Sequence, residues 1–166
     1  DSAPIRVVGA SACVITFDEY TQTTEDTGDQ TNFLIAKSSY IYVSGRFKNM
    51  GGVGITVQQG AERVWLDNID YQVRKNPDAG LATIAFGEDT GNTLKLGSGC
   101  AVTNLKMTQT TAFVAGSQVL IGITGGAATS ANNPLFQNVV GTTSVAGNTT
   151  ILFQFNAGTS NAVIID

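Results

Sequence analysis

The feature that most constrains the fold is an alternation of apolar and polar residues between residues 32 and 73. Ile41, Val43 and Phe47 share one parity, and Val64 and Leu66 repeat this spacing further along the chain. Successive side chains of a β-strand point to opposite faces, so this period of two indicates strands with one buried face. Glycine and asparagine interrupt the alternation, as expected for short strands that are joined by turns.

The rest of the chain continues the pattern of short apolar runs between polar turns. No window carries the apolar stripe of a helix, whereas Thr, Val and Ile are frequent. We count ten to twelve strands and predict an all-β fold, namely an antiparallel β-sandwich of the jelly-roll type. The alternative is a short right-handed β-helix, against which stands the lack of a fixed period of about twenty residues.

A length of 166 residues favours one domain. We expect residues 1–10 to form an extended N-terminal arm or an edge strand. Residues 11–166 are then a single β-sandwich domain.

The composition restricts the classes of partner. Charged residues make up only 13% of the chain, about half the usual share, and neutral polar residues replace them. A net charge of −4 argues against nucleic acid, because phosphate binding requires clustered Lys and Arg. No apolar run has the length of a membrane span. These properties are typical of a virion-surface or extracellular protein.

The sequence contains no recognisable catalytic motif. It has no histidine, which removes the commonest general base and the commonest metal ligand. No glycine-rich segment has the ending of a phosphate loop. Asp67 and Asp70 are three residues apart, a spacing that points to opposite faces of one strand. We therefore expect no enzyme and no cofactor, and a hydrolase that uses distant carboxylates is the weakest alternative.

An acidic stretch at residues 18–29 allows two interpretations. It contains Asp18, Glu19, Glu25, Asp26 and Asp29. A solvated surface loop is the favoured interpretation. The alternative is a Ca²⁺ site, because this cation binds several oxygen ligands from one loop, but the spacing does not match an EF-hand.

Cys13 and Cys100 are the only two cysteines. They are either two buried free thiols or a disulfide. A disulfide that closes so long a loop would stabilise the chain by roughly 4 kcal/mol in the chain-entropy account.

Four aromatic residues are the candidate contact residues: Tyr40, Tyr42, Trp65 and Tyr71. Trp65 and Tyr71 share one parity, and Tyr40 and Tyr42 face away from their apolar neighbours. Such rings serve as core residues, as anchors of a subunit interface or as platforms that stack on a sugar. We rank these three roles in that order.

Two segments resemble a known group of proteins. FLIAKSSYIYVSGRFKNMGGVGITVQQG (residues 33–60) and AFVAGSQVLIGITGG (residues 112–126) are similar to jelly-roll modules of virion surfaces with a tumour-necrosis-factor-like fold. Bacteriophage tail-fibre and tailspike heads and capsid-decoration proteins are the examples. The resemblance implies self-assembly and attachment to a surface or a capsid, and it transfers no functional residue.

We therefore predict a non-enzymatic structural protein that associates with copies of itself and contacts a capsid or a cell-surface glycan. One alternative is a carbohydrate-binding, lectin-like module. Another is a subunit of an extracellular filament that donates a terminal strand, because both ends of the chain are apolar and β-prone.

Overall fold

The computed structural model describes residues 4–22, 31–50, 53–58, 60–73, 82–87, 99–109, 118–124, 134–143, 150–155 and 163–165. All regular structure in these ranges is β-strand, which confirms the all-β prediction. The described residues contain no helix that is long and apolar enough to span a membrane. The twelve strands are β1 (Ile5–Val8), β2 (Ser11–Thr21), β3 (Thr31–Ala36), β4 (Ser39–Met50), β5 (Val53–Gln58), β6 (Glu62–Val73), β7 (Ala82–Gly87), β8 (Ala101–Gln109), β9 (Gln118–Thr124), β10 (Leu135–Thr143), β11 (Thr150–Phe155) and β12 (Val163–Ile165).

The strands form two six-stranded sheets, and every neighbouring pair is parallel. The odd sheet has the order β1-β3-β5-β7-β9-β11, and the even sheet has the order β12-β10-β8-β6-β4-β2. The chain therefore alternates between the sheets, and each odd strand with the following even strand makes one coil of a stack. The predicted antiparallel jelly-roll sandwich is wrong. Alternation specifies which face of a strand is buried, but it does not specify the direction of the neighbouring strand.

Parallel stacking is the arrangement that the β-helix alternative requires. The sequence shows no fixed period because the turns between the coils differ in length. Ile5, Phe33, Ile55, Ile84 and Ile121 occupy one column of the odd sheet. The steps between them along the chain are 28, 22, 29 and 37 residues. A search for one fixed period fails for this reason, although the coils repeat in space.

The core lies between the two sheets and is mostly aliphatic, with aromatic contacts that connect the sheets. Phe33 of the odd sheet packs edge-on against Phe17 of the even sheet, with ring centroids 6.1 Å apart. Further along the stack, Phe86 and Phe136 make the same kind of contact at 5.7 Å. Burial of one such side chain contributes roughly 1.5–3 kcal/mol, so these rings hold the sheets together.

Three asparagines bend the even sheet at one level of the stack. Asn68, Asn104 and Asn138 follow register-matched residues of β6, β8 and β10, and their φ angles are 52°, 51° and 52°. Asparagine tolerates this left-handed conformation better than most other residues. The bend leaves two successive residues facing outward, and it thereby inverts the parity of the strand. Tyr71 points into the core for this reason, so the expectation that it shares a face with Trp65 is wrong.

A second column of left-handed residues opens the even strands. It consists of Ala12, Tyr40, Arg63 and Gly99, with φ angles of 56°, 57°, 50° and 76°. Together with the asparagine column, it bounds a facet of the even sheet that is about five residues long.

Ser38 ties the first two coils together at the corner between the sheets. Its buried hydroxyl lies 2.8 Å from the carbonyl oxygen of Ala36 and 3.2 Å from that of Val7. It also accepts a hydrogen bond from the backbone N–H of Ala10 at 3.1 Å. These bonds join β1, the edge strand of the odd sheet, to the second coil.

Gly45 allows the backbones of the first two coils to approach closely. Its φ is 132°, and a Cβ there would overlap the backbone carbonyl of Phe17 in the neighbouring strand. We expect Gly45→Ala to lower the free energy of unfolding by about 3 kcal/mol, measured by chemical denaturation. Gly9→Ala is the matched control, because Gly9 has a φ of 69° but open space around it. The control should lose only about 1 kcal/mol, and equal losses would contradict this account.

Candidate functional site

Parallel pairing in register arranges the outward side chains of the even sheet in straight rows. One row, which we call the aromatic row, runs across five strands through Val14, Tyr42, Trp65, Ala101 and Leu135. Val14 is 72% exposed and Trp65 is 42% exposed. Tyr42 and Leu135 are half-buried and Ala101 is buried, so the row exposes apolar surface at Val14 and Trp65. Apolar surface exposed in this way is a candidate for contact with a partner.

Tyr40 extends the exposed aromatic surface at the start of the facet. It is exposed, and the guanidinium carbon of Arg63 lies 4.8 Å from its ring centroid. Arg63 also pairs with Glu62, with 3.4 Å between the guanidinium Nη1 and the carboxylate Oε1. The cation–π contact holds the arginine over the ring and keeps its charge at the edge of the facet.

Two residues beyond the aromatic row, Asp67 accepts hydrogen bonds from three side chains. Tyr42 Oη donates to Oδ2 at 2.9 Å, and Thr103 Oγ1 donates to Oδ1 at 2.5 Å. Asn104 Nδ2 donates to Oδ1 at 3.0 Å, and Asn138 Nδ2 donates in turn to Asn104 Oδ1 at 2.8 Å. This Asp67 network connects four neighbouring strands on the outside of the sheet.

The network keeps its ionisable groups away from acid–base chemistry. The hydrogen bond from Thr103, with those from Tyr42 and Asn104, holds the pKa of Asp67 below its usual value. The hydrogen bond that Tyr42 itself donates to Asp67 raises the pKa of the Tyr42 hydroxyl. Asp67 is therefore an ionised acceptor and Tyr42 a protonated donor at neutral pH, whereas a general acid or base needs a pKa near the working pH.

Asp67 and Asp70 both face outward, contrary to the expectation from their spacing, because the bend at Asn68 inverts the parity between them. They nevertheless have different partners. Asp70 Oδ2 lies 3.9 Å from Arg46 Nε, while Asp67 is bonded within its own network. The structure does not bring them together as a shared pair of carboxylates.

Beyond the bend, the outer face of the even sheet carries ion pairs between neighbouring strands. Arg46 and Lys48 lie 3.6 Å and 3.7 Å from the carboxylate of Glu19. The hydrogen bond from Thr21 and the two cations lower the pKa of Glu19. Exposed pairs of this kind contribute little to stability, so their main effect is to match charges across the strands.

Tyr71 is a core residue and lies apart from the other three candidate aromatics. It is completely buried and stacks on Phe47 with 5.7 Å between ring centroids. Burial raises the pKa of its hydroxyl, which has no hydrogen-bond partner in the described part of the chain. Tyr40, Tyr42 and Trp65, in contrast, lie together on the outer face.

The candidate disulfide does not form, and both cysteines are free thiols. Cys13 lies on β2 and Cys100 immediately precedes β8, so β4 and β6 separate them. Three strand spacings amount to about 14 Å, whereas the Cα atoms of a disulfide lie about 4.4–6.8 Å apart. Burial raises the pKa of the Cys100 thiol.

The calcium prediction falls partly outside the described residues. Asp18 and Glu19 lie on β2, whereas Glu25, Asp26 and Asp29 belong to residues 23–30, which the structure does not describe. Within the described ranges there is no group of three or more acidic, cysteine or histidine side chains that would hold a metal. Calcium binding by residues 18–29 stays a prediction.

Comparisons of the chain with protein-family models, curated proteins and solved structures found no significant match. The resemblance to virion-surface modules stays a prediction, although their antiparallel jelly roll is not the fold of this chain. The functional argument therefore depends on the geometry of the outer face.

Sequence reasoning missed most of the Asp67 network, although a signal for it was present. WLDNI (residues 65–69), AVTNL (residues 101–105) and LFQNV (residues 135–139) share one pattern, in which an asparagine precedes the last apolar residue. They are register partners in β6, β8 and β10. This short repeat with unequal spacing is the sequence signal of the asparagine column and of the rows beside it.

The lowered pKa of Asp67 predicts a change in the acid limb of stability. A depressed pKa contributes stability that is complete above the ordinary value of about 3.9 and is lost as pH falls through the folded-state pKa. We expect Asp67→Asn to lower the melting temperature at pH 7 and to flatten its decline between about pH 5 and pH 2. Asp18→Asn is the control, because Asp18 is exposed and has no hydrogen-bond partner among the described residues. If the melting temperatures of the wild type and of Asp67→Asn decline equally as pH falls, this role of Asp67 is contradicted.

Proposed function

We propose that this protein is a non-enzymatic structural protein of a virion surface or another extracellular assembly, which associates with copies of itself and contacts a surface such as a capsid. The low share of charged residues and the neutral polar surface support this proposal. The stacked coils supply a scaffold on which contact residues hold fixed positions.

The exposed aromatic row is the observation that carries the proposal. Val14 and Trp65 stand open to solvent on a sheet whose opposite face is buried in the core along β4, β6 and β8. Aromatic side chains of this kind contribute much of the binding energy when a partner covers them. The carboxylate beside the row is engaged in hydrogen bonds, which favours contact over catalysis.

The strand-donor alternative has less support. β1 is hydrogen-bonded to β3 of its own sheet from Ile5 to Val8. Donation of this strand to a neighbour would first break that pairing and the bonds of Ser38 at the corner. Association through an outer face leaves the coils intact.

Substitution of Trp65 tests the proposed self-association. We expect the weight-average mass, measured by light scattering between about 10 µM and 1 mM chain, to rise with concentration for the wild type. Trp65→Ala should weaken the association about tenfold or more, because it removes the largest exposed anchor. Val140→Ala is the control, since Val140 is 49% exposed on the same sheet beyond the bend. A wild type that stays monomeric over the whole range would refute the proposal.

A second candidate function is the binding of a saccharide at the same face. The observation that favours it is the position of exposed Trp65 beside the Asp67 network, since sugar sites combine a flat ring with polar side chains. Trp65 is the only tryptophan, so its fluorescence reports on this face alone. Titration of dilute protein with neutral oligosaccharides should give a saturable change that Asp67→Ala weakens. An unchanged spectrum across a range of such oligosaccharides would eliminate this candidate.

A further inference from the structure

The facet between the two left-handed columns has a symmetric arrangement about the aromatic row. On β6, Arg63 lies two residues before Trp65, and Asp67 lies two residues after it. The three side chains are on the same outer side, so a positive and a negative group flank the indole at equal distances along the strand. The spacing is about 6.6 Å on each side, at about 3.3 Å per residue.

We propose that two copies of this chain pack face to face through this facet, about a two-fold axis that runs along the aromatic row and perpendicular to the strands. This inference rests on the self-association proposed above, and it adds the surface and the residues that meet. A two-fold axis at this place sets each row member against its own copy and reverses the strand direction in the partner. Trp65 then meets Trp65 of the second copy, and Tyr42 meets Tyr42 of the second copy.

Charge complementarity carries the choice of a second copy as the occupant. The proposed axis places Arg63 opposite Asp67 of the second copy, and Asp67 opposite Arg63 of the second copy. Glu62 is placed opposite Asn68 of the second copy, because each lies three residues from Trp65. The interface therefore contains two ion pairs and no facing pair of like charges, and such an arrangement selects a partner and fixes its orientation.

Side-chain size is also complementary across the proposed axis. Tyr40, the bulkiest residue at the start of the facet, faces Ser44 of the second copy, because each lies two residues from Tyr42. Thr103 and Gly99 are related in the same way about Ala101. Large side chains thus meet small ones on both sides of an apolar stripe, which gives the arrangement of apolar centre and polar rim found in interfaces.

The size of the facet limits the strength of the dimer. Five strands span about 19 Å, and the five residues from 63 to 67 span about 13 Å, which gives a footprint of about 250 Å². Stable interfaces bury about 800 Å² on each partner. We therefore expect a reversible dimer that forms at high chain concentration or when other contacts hold the copies together.

Charge reversal with rescue tests the proposal. Arg63→Asp sets Asp against Asp67 at both ends of the dimer, and Asp67→Arg sets Arg against Arg63. Each variant alone should associate at least about tenfold more weakly than the wild type in sedimentation equilibrium. A one-to-one mixture of the two variants, and the double variant Arg63→Asp/Asp67→Arg, should regain association, because every facing pair is again of opposite sign.

The rescue separates contact between copies from effects inside one chain. In the mixture, each chain keeps its own substitution, so regained association cannot come from repair of a single chain. Circular dichroism and melting temperatures establish that each variant is folded. Arg46→Asp is the matched control, because it makes the same charge reversal on an exposed residue beyond the bend, and it should associate like the wild type.

Four outcomes overturn the inference. If Arg63→Asp and Asp67→Arg associate as strongly as the wild type, the contact lies elsewhere. The same conclusion follows if Arg46→Asp weakens association as much as these two variants do. Failure of both the mixture and the double variant to regain association rules out the two-fold arrangement, whereas the proposed function stands if Trp65→Ala still weakens association. A wild type without any association overturns the inference and the proposed function together.

Discussion

Parallel, in-register hydrogen bonding between successive coils is the constraint on which the rest of the structure depends. Each residue repeats its position in the coils above and below, so a column must suit every coil that it crosses. The inward column from Ile5 to Ile121 is apolar at each of its five positions. The bend at Asn68, Asn104 and Asn138 crosses three neighbouring coils, and asparagine accepts the left-handed conformation in each of them.

The same constraint acts on the surface. Parallel stacking places like residues about 4.8 Å apart, so a column of equal charges is destabilised by repulsion. The outer face avoids this by alternating Glu19, Arg46 and Asp70 on neighbouring strands, and elsewhere by using neutral residues in the Asp67 network. The low share of charged residues is thus a property that the fold itself favours, in addition to any effect of location.

The functional argument follows from the rows that this stacking creates. A Trp, a Tyr and a Val share one outward-facing row because their strands are neighbours in space, although unequal turns separate them in the chain. The parallel register fixes their relative positions, so the face presents a defined pattern of apolar and charged groups. A pattern of this kind is suited to recognition of a matching surface, and its own copy is such a surface.

The sequence by itself determined the β-class, because this follows from the local alternation of apolar and polar residues, and it indicated that Tyr40 and Tyr42 face away from Ile41 and Val43. Only the tertiary structure decided that the strands are parallel, because alternation is the same in both directions of pairing. It also decided the burial of Tyr71 and the separation of Cys13 from Cys100. There are two physical reasons. A single left-handed residue inverts which side chains of a strand face the core. Contacts between coils depend on the register of the strands, and local periodicity carries no information about register.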